Sequence, residues 1–92
     1  MSFELGQVVQ TKGIATACEQ DQVFDREVKQ AFEKYIQGNW GDTCKEDSEL
    51  NNNAVKDNND RIVAMYKTSK GKIFIITEWD RSYTTILFAY EY

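Results

Sequence analysis

Two residue types are missing from this chain of 92 residues: it has no histidine and no proline. Without histidine there is no His-based triad, no His general base near neutral pH and no imidazole metal ligand. Without proline no turn has its φ set by a ring, so Gly and Asn must make the turns. Cysteine is nearly absent too. Cys18 and Cys44 are too few for a secreted disulfide framework, and two free thiols in a cytoplasmic protein are the plain expectation. A zinc site would have to draw on Asp21, Asp42 or Asp47 beside the two cysteines, with no C-x-x-C spacing, so no metal and no cofactor is expected. No apolar run approaches the roughly 20 residues that span a bilayer. Residues 1–6 lack the basic-then-apolar pattern of a leader, which points to a protein made without one. Neither G-x-x-x-x-G-K-[ST] nor G-x-G-x-x-G occurs, so no phosphate-binding loop is expected.

What is present suits one small domain spanning residues 1–92. Apolar residues at 41% and aromatics at 13% are enough for a single core and argue against disorder. The net charge of −4 is unevenly placed. Asp42, Glu46, Asp47, Glu49, Asp57 and Asp60 face only Lys45 and Lys56 across residues 42–60, whereas residues 61–92 carry five bases against three acids. An acidic chain does not bind nucleic acid broadly by counterion release. The six acids are the candidate surface for a protein partner with a basic face.

The pattern predicts an α+β fold: two main helices packed on a small antiparallel β-meander of three to four strands. Asp21 is placed to cap a helix whose stripe is Phe24, Val28, Ala31 and Tyr35, with Gly38 ending it. Asp42 or Thr43 begins a second helix to about residue 57, with Glu46 completing a capping box with Thr43. Its apolar face is thin, and Asn51, Asn52 and Asn53 are poor helix formers, so it is expected to be the least stable element. Residues 7–11 read as a weak strand and residues 14–18 as a short helical turn. Residues 62–68, 72–80 and 84–88 read as the meander, with Gly71 in the first turn. Its edges leave room for self-association, so the chain is expected to be a monomer or a homodimer.

Residues two apart on a strand share a face, so a strand over 72–80 sets Glu78 beside Asp80 at the end of an apolar face. Carboxylates placed there, with Arg81 and Ser82 following, are candidates for raised pKa values and acid–base chemistry of a hydrolase kind. A purely structural pairing in the turn is the stronger expectation, and the chain is read as a non-enzyme with no catalytic residue. Trp40, between two glycines, reads as a core or lid aromatic.

Several segments together carry a resemblance. They are Phe3-x-Leu5-Gly6-Gln7-Val8-Val9-x-Thr11-x-Gly13-Ile14, then Gly38-Asn39-Trp40-Gly41-Asp42, then Ile75-Ile76-Thr77-Glu78-x-Asp80-Arg81-Ser82-x-Thr84-Thr85-x-Leu87. This resembles a family of small proteins, described as plasmid-related or hypothetical, carried by bacterial plasmids, phages and integrating elements. The chain departs from the family pattern in lacking a histidine before the tryptophan turn, in having Asn39 where that turn has aspartate, and in ending Ala89-Tyr90-Glu91-Tyr92. The resemblance marks Trp40, Glu78, Asp80, Arg81 and Ser82 as site candidates and brings no catalytic role with it. It implies an accessory gene of a mobile element, of the kind that counters host defence by binding a nuclease or its guide complex.

Overall fold

The structure is a computed structural model that describes residues 3–92. Met1 and Ser2, the start of the stretch read for a leader, lie outside the described residues. The elements run β1 (Gln7–Gln10), α1 (Lys12–Gln20), α2 (Gln22–Ile36), α3 (Lys45–Asp57), β2 (Ile62–Thr68), β3 (Gly71–Thr77) and β4 (Tyr83–Phe88), with a closing 3-10 turn (Ala89–Glu91). The fold is α+β, as the pattern predicts, with two additions. The described residues form three α-helices, and the four-stranded sheet, in the order β1-β4-β3-β2, is mixed. The β2-β3-β4 meander is antiparallel, and β1 joins β4 in parallel.

Residues 12–20 make a nine-residue helix rather than a short turn. Thr11 caps it by accepting the Ile14 N–H, and Ile14 is fully buried beneath it. In α2, Asp21 accepts the Val23 and Phe24 N–H groups, and the buried residues are Phe24, Val28, Ala31 and Tyr35. That stripe packs on the sheet face formed by Ile62, Ala64, Tyr66, Ile73, Ile75, Ile86 and Phe88. Phe24 stacks on Phe88, and Tyr35 meets Trp40 edge-on.

The capping box expected for α3 is not made. Cys44 is the N-cap residue and makes no side-chain cap bond. Thr43 and Asp42 are diverted sideways: Thr43 Oγ1 accepts the Met65 N–H at 2.8 Å, and Asp42 Oδ2 accepts the Lys67 N–H at 2.9 Å. Two of the three asparagines of α3 also have defined partners. Asn51 is buried and bonds both the N–H and the carbonyl of Val63, and Asn52 accepts the Trp40 indole N–H at 2.8 Å. Poor intrinsic propensity is offset here by tertiary bonds.

Strand β3 stops at Thr77, three residues short of the expected end. Beyond it Glu78 N–H still bonds Tyr83 O, but Arg81 N–H bonds Glu78 O and Arg81 takes φ 60°, so the chain has already turned. The opening segment crosses this turn closely. Gly6 has φ 64°, and a Cβ on it would run into the carbonyl oxygens of Arg81 and Ser82, so no larger residue fits.

Candidate functional site

The sheet has two unlike faces. One lies under α1 and α2. On the other, Val63, Met65 and Phe74 are half-buried, while Ile76 and Leu87 between them are nearly closed off. Tyr92 meets Phe74 edge-on at one side, with Arg61 over the Tyr92 ring. Helix α3 flanks the other side along β2. Between α3 and this face run two grooves of about 300 and 320 Å³ that share Asp47 and Val63. Together they form a trough floored by Val63, Met65 and Phe74 and walled by Asp42, Asp47, Leu50, Asp60, Arg61 and Lys72. Leu50, an apolar residue on this wall, is 62% exposed.

The six acids read from the sequence therefore separate. Asp42, Asp47 and Asp60 border the trough, whereas Glu46, Glu49 and Asp57 line neither groove and follow helical spacing along the outer side of α3. All six are exposed. Among the described residues the ion pairs are Lys29–Asp25 and Lys70–Asp21, so none of the six is neutralised by a cation within 4 Å. Asp42 and Asp60 each accept one backbone N–H, from Lys67 and Arg61.

The turn residues do other work. Arg81 is 6% exposed, and its guanidinium donates from Nη1 to the carbonyls of Asp60, Glu78 and Trp79 and from Nη2 to that of Ala54. It thus ties the C-terminal turn of α3 to the β3–β4 connection, where a cation is favoured by the helix dipole. Asp80 is exposed and its carboxylate lies below the usual range, held there by the hydroxyl and the N–H of Ser82. The candidate of a raised carboxyl at Asp80 is thus not met, and with the strand ending at Thr77 neither Glu78 nor Asp80 sits at the end of an apolar strand face. Trp40 is buried against Phe3 and Tyr35. Trp40, Arg81 and Gly6 all join elements distant in sequence.

The thiols are free, Cys18 half-buried and Cys44 exposed. Burial, with the neighbouring Asp25 carboxylate, pushes the Cys18 thiol up. No three His, Cys, Asp or Glu side chains converge as metal ligands among the described residues. No helix there is long and apolar enough to cross a membrane.

Sequence reading missed the trough because its floor comes from alternate residues of β2 and β3, which look like ordinary core positions until it is known which face the helices cover. The signal was available in part: residues 62–66 and 73–76 are apolar on both faces, and α1 and α2 cover only one of them. Comparison of the chain with protein-family models, with curated proteins and with solved structures finds no match in any of the three.

Proposed function

We propose that the chain is a non-enzymatic binding protein that docks the basic face of another protein in the trough between α3 and the open sheet face. One observation carries the reading: an apolar floor of Val63, Met65 and Phe74 is bordered by Asp42, Asp47 and Asp60, none of which is ion-paired among the described residues. Apolar area supplies affinity, and the unneutralised carboxylates favour lysine or arginine at the rim of the partner. The outer acids Glu46, Glu49 and Asp57 add long-range attraction and speed encounter. The motif resemblance supplies the setting, a bacterial mobile element. In that setting the fitting partner is a host defence nuclease of CRISPR or restriction type, whose nucleic-acid channel is basic. Such a protein acts in the cytoplasm as an acidic inhibitor.

The hydrolase reading loses its main support in the turn. Arg81 directs its Nη donors to main-chain carbonyls, and the Asp80 carboxyl, held below its usual range by Ser82, carries no proton to donate near neutral pH.

The test is capture from a bacterial host lysate at low and high salt, with wild type and the triple variant Asp42→Lys, Asp47→Lys, Asp60→Lys. The expected result is a dominant basic protein retained by wild type at low salt and lost both with added salt and in the triple variant. An unchanged set of captured proteins in the triple variant contradicts the surface.

A further inference from the structure

The two edges of the sheet are treated differently. At the β2 edge, other groups stand in for a missing strand. Asn51 Nδ2 donates to Val63 O at 2.9 Å and Oδ1 accepts Val63 N–H at 3.1 Å. Met65 N–H goes to Thr43 Oγ1, Met65 O accepts Asp42 N–H, and Lys67 N–H goes to Asp42 Oδ2. Successive outward-facing positions along β2 are thus occupied, and this edge has little left for a further strand.

At the β1 edge no such cover exists among the described residues. Gln7 N–H bonds Ser82 O and Thr11 N–H bonds Ile86 O, which fixes the phase of the parallel ladder: odd-numbered residues turn their backbone groups to β4. The N–H and C=O groups of Val8 and Gln10 therefore face outward, and no side chain among the described residues meets them. All four residues of β1 are exposed, Val8 by 45% and Val9 by 37%. The edge carries no lysine, proline or other charge of the kind that keeps edges apart. Beside it opens a hollow of about 390 Å³ lined by Val8, Gln10, Val28, Phe32 and Ile86, with Asp25 and Lys29 at the wall. Ile36, one turn beyond Phe32 on α2, is 40% exposed.

We infer that two copies of this chain pair β1 with β1, antiparallel about a two-fold axis through Val9, to form one continuous eight-stranded sheet. The occupant must be an extended strand, because what the edge offers is backbone donors and acceptors in strand spacing. A second copy fits for three reasons. Centring the axis on Val9 sets Val8 opposite Gln10 of the other copy, so the only outward-facing residues of the strand bond each other and nothing outside Gln7–Gln10 is needed. The two α2 helices then lie on the same side of the sheet, where their Phe32 and Ile36 side chains and the two hollows meet. The obstructed β2 edge stops growth, so the association closes as a dimer instead of running on as a filament. This inference rests on the edges and is independent of the docking trough.

Sedimentation equilibrium across roughly 1 μM to 1 mM tests it, a range that covers weak to moderate association. Wild type is expected to shift from the 10.7 kDa chain mass to twice that mass as concentration rises. Val8→Pro removes an outward N–H that β4 does not use, so circular dichroism is expected to be unchanged and the dimer lost. A second arm does not depend on that variant folding. Val9 faces its own copy as a non-hydrogen-bonded pair, where Cβ atoms lie closest. With Cys18 and Cys44 changed to serine, Val9→Cys is expected to form a disulfide dimer with oxidised glutathione, and Lys67→Cys at the opposite edge is not. Wild type that stays monomeric across the range overturns the inference, whatever foreign strand the edge then accepts. So does a dimer in which Val9→Cys crosslinks no better than Lys67→Cys.

Discussion

Arg81 occupies a left-handed backbone position that a glycine or asparagine would take at lower cost, and it is nearly buried with no ion-pair partner among the described residues. Its Nε has no partner among the described residues. The four carbonyls on Nη1 and Nη2 are what justify it. Removing the guanidinium in Arg81→Ala leaves those carbonyls without a donor and is expected to cost about 3 kcal/mol, since a bond to a charged donor contributes about 1.5–3 kcal/mol. Arg81→Gly loses the same bonds but sheds the left-handed penalty, so it is expected to be about 1 kcal/mol less damaging than Arg81→Ala. Urea unfolding of the two variants measures the difference, and an Arg81→Ala protein as stable as wild type removes the structural account of the turn.

Three hydroxyls form a directed chain in the core. Thr84 Oγ1 donates to Leu5 O, so Thr77 donates to Thr84, and Tyr35 in turn donates to Thr77. Burial pushes the Tyr35 phenol well above its ordinary value of 10.0, and burial does the same to Tyr66, whose hydroxyl donates to Asn39 O. A group whose folded pKa is raised contributes stability below its unfolded pKa and loses it as pH rises. Stability is therefore expected to decline above about pH 10 as the unfolded chain gains phenolates that the fold refuses. Asp21, Asp25 and Asp80 are shifted the other way, by the Phe24 N–H, by Lys29 and by Ser82 respectively. Their contribution is present above about pH 4 and is lost as pH falls through their lowered values. Thermal melts from acid to alkaline pH are expected to show a plateau bounded on both sides in this way.

At the scale of elements, β2 is the strand whose pairing depends most on side chains. Asn51→Leu keeps a helix-compatible shape but strips the partners from Val63 N–H and C=O, at an expected cost of about 2–3 kcal/mol. It also bares that edge, so aggregation at high protein concentration is expected beside the lowered unfolding midpoint, and light scattering checks it. Gly6→Ala is expected to destabilise through the collision with the Arg81 and Ser82 carbonyls, read as a lower melting temperature.

Helix α2 was legible because its stripe and its Asp21 cap are local, and β2 because its ends fall at Asn-rich and Gly-containing turns. Helix α1 has Ile14, Ala17 and Cys18 at helical spacing, but Gly13 in its first turn weakened the pattern, and its Thr11 cap was read as strand. The pairing of β1 with β4 joins residues more than seventy apart and leaves no local trace. Thr43 looked like a capping residue because Glu46 stands three places on, and only the fold shows that its hydroxyl is taken by Met65. The acids were visible in the sequence as a group. Their division into trough-lining and outer sets depends on how α3 is rotated against the sheet.

At the scale of the whole molecule, the helices and the sheet close one core, and the trough is left over: apolar at its floor, bordered by three carboxylates that no cation pairs among the described residues, and remote from the β1 edge. Partner binding there and self-pairing at β1 use different surfaces, so a partner-bound dimer is geometrically consistent. Hydrogen exchange of the isolated protein against its captured partner complex tests the docking claim most directly. New protection is expected in Val63, Met65, Phe74 and the first turns of α3, with little change in α1 and α2. Protection confined to α1, α2 or the 78–83 turn, with the trough unchanged, would contradict it.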